Sequence, residues 1–384
     1  MPDTSPDTME THRQRTLSDS ERLSWLRLIR SSNVGPGTFF RLLDKFGGAK
    51  EALDALPDLA RRGGSARALR IASLSAIEQE LAAAQRIGAT PVAWGEPAYP
   101  PLLAHIHDPP PIIYARGRLN LMVKQSIGVV GARNASINGC RFARKLASDL
   151  GAGGLMVASG MARGIDAAAH EGALASGTAA VLGGGVDVPY PAENKSLYDK
   201  LADTGVLISE TPPGTKPLAR HFPRRNRIIS GMARGVVVVE ASPRSGSLIT
   251  ARLALEQGRE VFAVPGAAMD PRARGTNHLI RQGATLTESA DDVFAVLDEQ
   301  LRPPPQEIHH KNQQVTHGLS DRDEIDSARE NIINALGPTP TTVDELVRVC
   351  QFSTAVVSTV LLELELAGRL ERHPGSRVAL LMDQ

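Results

Sequence analysis

The spacing of apolar positions changes twice along the chain, and each change marks a change of architecture. Ser18-Asp19-Ser20-Glu21 has capping-box spacing just ahead of Leu23, Trp25, Leu26, Leu28 and Ile29, so a helix is predicted to begin there. The turn Asn33-Val34-Gly35-Pro36-Gly37 predicts a second helix from Thr38 to Phe46, stopped by Gly47-Gly48. Two more short helical runs reach Ile87, so segment 18–87 reads as a small all-α domain. Residues 1–17, rich in Pro, Asp, Thr and Ser, show no apolar period and predict a disordered tail.

From Pro91 the helical period gives way to short apolar runs. These are Ile127–Val130, Leu155–Ala158, Ala179–Leu182, Val206–Ile208, Val236–Val239 and Val261–Val264, each followed closely by glycine or a turn. Ala-rich stretches of helical length, such as Arg141–Leu150, Asp166–Ala175 and Ser247–Gln257, lie between them. Continuous apolar strands alternating with helices predict a parallel sheet covered on both faces, a doubly wound α/β domain over 91–298. Segment 299–320 lacks any period and reads as a linker. Beyond it, Ala328–Leu336, Val343–Cys350 and Ser353–Ala367 predict three helices, and Arg369–Arg372 with Val378–Leu381 predict a hairpin. Three helices and a hairpin over 321–384 are the plan of a winged helix.

Composition narrows the class. The 384 residues are 42% hydrophobic and 22% charged, which fits two to four folded domains and excludes wholesale disorder. Forty-three Lys and Arg against 42 Asp and Glu leave a net charge of +1, so any signal for a charged partner must be local. Two windows supply one: residues 109–148 hold seven basic side chains and no acid, and residues 211–239 hold six and no acid. Cys140 and Cys350, far apart in sequence, make neither a disulfide framework nor a zinc site. The first 20 residues are polar and no 18-residue apolar run occurs, which predicts a cytoplasmic protein without membrane partners.

In an open parallel sheet, ligands bind at the carboxyl ends of the strands, where helix N-termini present free N–H groups. Here those ends carry Gly131 and Arg133, then Ser159, Gly160 and Arg163, then Lys195 beyond Gly183-Gly184-Gly185. The remaining strands contribute Phe222 with Arg224, Arg225, Asn226 and Arg227, then Ser245, Gly246 and Ser247, then Asn277. The clustering of glycine, hydroxyl and guanidinium groups predicts an anion-binding edge. Blander roles are assigned to Asp166 as a helix N-cap, to Asp166 with His170 as a helix-surface pair, and to Glu240 as an internal partner for an arginine. No G-x-G-x-x-G, Gly-Lys, G-x-S-x-G or H-E-x-x-H occurs, so the dinucleotide, Walker A, hydrolase-elbow and zinc-protease chemistries are absent. No cofactor, metal or catalytic residue is expected.

The runs Ile127–Arg133, Ser159–His170, Phe222–Ile229 and Ser245–Ala251, with Tyr190-Pro191, Pro265-Gly266 and Gly275-Thr276-Asn277, resemble the DNA-processing protein A (DprA/Smf) family. The resemblance implies an extended Rossmann-like domain, an N-terminal SAM or helix-hairpin-helix domain and a C-terminal winged helix. It further implies a non-enzymatic protein that binds single-stranded DNA, dimerises and loads the recombinase RecA in natural transformation. Carried over by motif, Arg133 and Lys195 would contact phosphates, while Phe222, Arg225, Asn226 and Arg227 would line the same pocket. Where the family usually has Ser or Thr, this chain has Ala132, which removes one hydroxyl donor. The competing class is a Rossmann-type nucleotide N-glycosidase or phosphoribohydrolase, whose P-G-G-x-G-T-x-x-E loop is missing here.

The C-terminal unit departs from a DNA reader. Residues 321–384 hold 11 acids and six basic side chains, and Ser353–Ala367 carries Glu363 and Glu365 with no Lys or Arg. Phosphates repel carboxylates, so this unit is expected to be a protein-interaction or self-regulating module.

Overall fold

The computed structural model describes residues 15–64, 69–299, 322–373 and 375–381. The chain begins with α1 (Asp19–Ile29), α2 (Pro36–Phe46), α3 (Ala49–Arg62) and α4 (Leu74–Arg86). In α2, Pro36 takes the first helical position, where its missing N–H costs nothing, and Gly47 ends the helix in the left-handed region at φ 76°.

The α/β domain follows as β1 (Ala89–Ala93), β2 (Ile112–Gly117), β3 (Ser126–Gly131), α5 (Ile137–Ala152), β4 (Met156–Ser159), α6 (Ile165–Ala173) and β5 (Thr178–Val181). It continues through α7 (Lys195–Thr204), β6 (Val206–Ser209), α8 (His221–Met232), β7 (Gly235–Val239) and α9 (Gly246–Glu256). Then come β8 (Glu260–Ala263), α10 (Arg274–Arg281), β9 (Thr285–Leu286) and α11 (Ala290–Glu299). The C-terminal part is α12 (Arg322–Ala335), β10 (Thr341–Thr342), α13 (Val343–Cys350), α14 (Thr354–Leu366), β11 (Leu370–His373) and β12 (Arg377–Leu380).

The large sheet runs β1-β2-β6-β5-β4-β3-β7-β8-β9. All seven strands from β6 to β9 pair in parallel, as the apolar runs predict. The six expected strands are all present, joined at one edge by β9 and at the other by β2 and β1, which pair antiparallel. Pro91 lies in β1, tolerable because an edge strand leaves one row of N–H groups unused. Strand β7 shows why its run is continuously apolar: Val236 and Val238 enter one core with Ile228, Ile229 and Ala251, while Val237 and Val239 enter the other with Ala143, Leu146 and Ile165. Both faces are dry, so no polar residue is tolerated between.

The last residues of the expected disordered segment 1–17 are held in this unit. Leu17 is buried, its N–H donates to Glu96 Oε1 at 3.1 Å, and the Arg15 N–H donates to the Gly95 carbonyl. Residues 1–14 lie outside the described residues, as does the expected 299–320 linker except for Glu299, which ends α11.

By compactness the chain divides into two units, one made of 1–18 and 78–303, the other of 19–77 and 304–384. The second unit therefore joins the helical segment to the winged helix. Val357, Val360, Leu361 and Leu364 of α14 pack with Ile332, Leu346 and Val378 in the winged-helix core. Leu362 and Leu366 instead join Phe39, Leu42, Leu53 and Leu56 of the helical segment. Among the described residues no single helix is long and apolar enough to cross a membrane.

Candidate functional site

Strand order fixes where a site forms. After β3 the chain winds to one side through β4, β5 and β6, then crosses to begin β7 on the other side. The loops after β3 and β7 consequently part from each other, and a crevice opens at that switch point. It holds a cavity of about 920 Å³, large enough for more than one nucleotide-sized group.

Gly131, Ala132, Arg133 and Asn134 of the loop after β3 form one wall, and Ser242, Arg244, Ser245, Gly246 and Ser247 after β7 form another. At Gly131 a side chain would meet the Val239 carbonyl oxygen 1.9 Å from its Cβ, so close strand approach demands glycine. Ser245 caps α9 by accepting from the Ser247 N–H, and its hydroxyl lies 2.7 Å from that of Ser247. Nothing stands within 4 Å of where a Gly246 Cβ would be, so the first turn of α9 is open to an approaching anion.

The third wall is aromatic. Phe222 and Tyr190 pack with ring centroids 5.6 Å apart, and the Arg133 guanidinium stands 5.2 Å from the Phe222 centroid. Tyr190 is 49% exposed, so one ring of the pair remains available for stacking. Arg244 lines the cavity too, and neither Arg133 nor Arg244 forms an ion pair among the described residues. Arg272 also reaches the cavity, held by Asp270 through Nε and Nη2, both at 3.0 Å.

Beneath the aromatic wall lie two buried groups of opposite charge, Arg225 and Asp166, that act on each other electrostatically. Arg225 is 5% exposed and donates from Nη1 to the Val181 carbonyl at 2.6 Å. It passes over Gly160, where a Cβ would stand 2.1 Å from that nitrogen. Desolvation pulls its pKa down to about 10, partly offset by Asp166. Burial raises the Asp166 pKa, opposed by Arg225 and by the backbone N–H groups of Ala162 and Gly160. Asp166 is thus not the N-cap of α6, a place taken by Gly164, but an internal carboxylate at the cavity floor. His170 is not on a surface either: it is fully buried, Nδ1 lies 2.8 Å from Thr178 Oγ1, and desolvation drops its pKa to about 3. Both residues face the sheet because α6 is buried against it on this side, which i,i+4 spacing alone does not reveal. Glu240 accepts from the N–H and hydroxyl of Ser136 at the start of α5, and its charge also acts on Arg272, so the expected arginine contact is electrostatic and the hydrogen bonds go to the helix cap.

The structure thus brings together Gly131, Arg133, Phe222, Arg225, Asn226, Ser245, Gly246 and Ser247 around one cavity. The other expected site residues are engaged elsewhere. Lys195 pairs with Asp199 at 2.6 Å, Arg163 with Glu193 at 3.7 Å, and Arg224 with Glu210 at 2.8 Å. Arg227 is 6% exposed and bound by Glu210 and Asp108, which ties α8 into the interior. Ser159 is fully buried and donates to the Val129 carbonyl at 2.6 Å. Asn277 bridges the Gly266 backbone in both directions. Arg244 and Arg272 escaped sequence reasoning. Arg244 sits inside the Ser242–Ser247 loop, where the glycine and hydroxyl pattern does not mark it, while Arg272 arrives from a loop 28 residues downstream, a meeting only the fold creates.

The chain is thus a doubly wound α/β protein whose switch-point cavity is lined by arginines and partly by aromatic rings, surfaces complementary to phosphates and to bases. Comparison makes the assignment finer. The profile of the family described as DNA recombination-mediator protein A matches residues 90–298, a DprA-like N-terminal HHH domain matches 19–83, and a DprA winged helix domain matches 319–376. The chain belongs to the DNA recombination-mediator protein A family, also called DprA or Smf. Protein Smf of Synechocystis is 36% identical over 309 residues, covering 73% of this chain and 78% of that protein. The DNA processing protein DprA of Bacillus subtilis is 46% identical over 222 residues, covering 57% and 75%. Among solved structures, DprA of Streptococcus pneumoniae aligns with TM-score 0.60 and 34% identity over 73% of this chain and 98% of that one. DprA of Helicobacter pylori, described for its single-stranded DNA binding mode, aligns with TM-score 0.51 and 25% identity over 55% and 96%.

Proposed function

We propose that this protein binds single-stranded DNA in the switch-point cavity without acting on it chemically, and that as a homodimer it loads RecA onto the bound strand during natural transformation. The observation that carries the first part is the cavity itself. Two arginines with no ion pair among the described residues, Arg133 and Arg244, and the open N-terminus of α9 converge beside the Tyr190–Phe222 pair. Phosphates fit the first set and bases the second, a combination that suits single strands of any sequence. The binding described for the Helicobacter pylori relative supports this reading. The RecA and dimer assignments rest on the family resemblance.

A binder rather than a catalyst is favoured by the lining. Its hydroxyls, Tyr190, Ser242, Ser245, Ser247 and Thr250, have no histidine beside them among the lining residues, and Asp166 accepts from backbone N–H groups and is compensated by the charge of Arg225. The N-glycosidase alternative requires free base to appear when the protein is incubated with nucleotides. None is expected by chromatography, and sustained release would replace the binder with an enzyme.

Binding is tested by gel shift with single-stranded oligonucleotides across a salt series. Arg133→Ala should weaken binding for every sequence and flatten the salt dependence by about 0.7 in slope, one phosphate contact. Lys195→Ala should leave the slope unchanged, because that ammonium is spent on Asp199 away from the cavity lining. Equal slopes for Arg133→Ala and the parent would remove the proposed groove.

A further inference from the structure

In a winged helix the third helix is the one that enters the DNA major groove, and it needs an exposed basic or amide face to do so. Helix α14 has no such face. Eight of its 13 residues are buried, and only Thr354 and Ser358 are exposed. One side closes the winged-helix core and the other, through Leu362 and Leu366, closes the core of the helical domain.

The polar contacts across this second side are specific. Glu365 forms an ion pair with Arg41 of α2, accepts from Thr38 Oγ1 at 2.8 Å and pairs with Arg372 of β11 at 3.0 Å. Asn33 Nδ2 donates to the Leu366 carbonyl at 3.0 Å, and Lys45 Nζ to Thr359 Oγ1 at 3.1 Å. The backbones meet as well: a Cβ on Gly63 would stand 2.0 Å from the Glu363 carbonyl oxygen. Glu363 is 1% exposed, with Arg329 on its carboxylate at 2.7 Å. The two acids that look out of place on a DNA-reading helix are therefore both consumed internally. They are the polar half of a docking surface.

We propose that α14 is a docking helix rather than a DNA reader, and that the face formed by α2 and α3 is its receptor. The occupant of that face is this chain's own Leu362-Glu363-Leu364-Glu365-Leu366, whose outer leucines fill the apolar core while Glu365 meets Arg41. Docking joins two domains separated by more than 200 residues of sequence into one clasped unit and takes the groove-reading helix out of reach of nucleic acid. Because Glu365 is the shared acceptor of Arg41, Thr38 and Arg372, the clasp is ionic at its centre and loosens when that charge is removed.

The test is amide hydrogen exchange on the full-length protein, with the parent as reference. Glu365→Gln keeps the shape and removes the charge, and should speed exchange of the Phe39–Leu43 and Leu362–Leu366 amides about tenfold. Amides in β3, β7 and α12 should keep their protection, which separates undocking from unfolding. Thr359→Glu adds a carboxylate facing Lys45 and should slow the same amides. Unchanged exchange in both variants, or loss of protection throughout, overturns the clasp. A second arm addresses DNA: Thr354→Glu with Ser358→Glu places carboxylates on the exposed face of α14 and should leave single- and double-strand affinity within about twofold. A tenfold loss of duplex affinity there would put α14 on DNA. That arm is independent of the switch-point cavity, whose failure would show instead in Arg133→Ala.

Discussion

Arg225→Met is expected to destabilise the α/β domain by about 3–5 kcal/mol, the cost of leaving a buried charge without its partner. Arg225 and Asp166 are 5% and 6% exposed, and each is the main opposite charge acting on the other. Methionine fills a similar volume but cannot neutralise Asp166 or donate to the Val181 carbonyl. Against a domain stability of order 5–15 kcal/mol the loss is large enough to move a urea midpoint well outside error. Adding Asp166→Asn to Arg225→Met should recover part of it, because the orphaned carboxylate is then gone. A loss below about 1 kcal/mol, or no recovery in the double variant, would mean that the pair is solvated and that the cavity floor is open to water.

Phe222→Ala should weaken single-strand binding by about 1–3 kcal/mol, roughly 5- to 150-fold, the range for loss of one base-stacking aromatic. The effect has two sources. The ring supports Tyr190 at 5.6 Å and also carries the Arg133 guanidinium, so its removal frees both neighbours. Phenylalanine bears no charge, however, and the number of ions released on binding should stay the same. Parallel salt plots displaced in affinity are therefore expected for Phe222→Ala, in contrast to the shallower plot of Arg133→Ala. A change of slope in the phenylalanine variant would show that its main role is to position Arg133, and an affinity within twofold of the parent would remove it from the interface.

The same residues show how far the sequence reaches. The strand ends were legible as the rim of a cavity because glycine, serine and arginine gather there at strand-to-helix turns, and eight of the residues so marked line it. Which arginines face it was not legible. Arg225 and Arg227 are neighbours on one helix, yet the first underlies the cavity while the second crosslinks to Glu210 and Asp108. Two residues apart on a helix they point about 200° apart, and only the sheet and its loops decide what lies in each direction. Asp166 and His170 illustrate the same gap, since i,i+4 spacing fixes that they share a face but not whether that face meets water.

Sequence by itself determined the parallel core, because strands dry on both faces must be continuously apolar, as Val236 to Val239 are. It also determined the helices of the terminal domains and the acidity of α14. Only the tertiary structure decided what that acidity is for. Glu365 meets Arg41 across 324 positions of sequence, and no local pattern records a contact that far away. Local physics writes elements into short windows, whereas the partner of a charged side chain is chosen by where the chain returns.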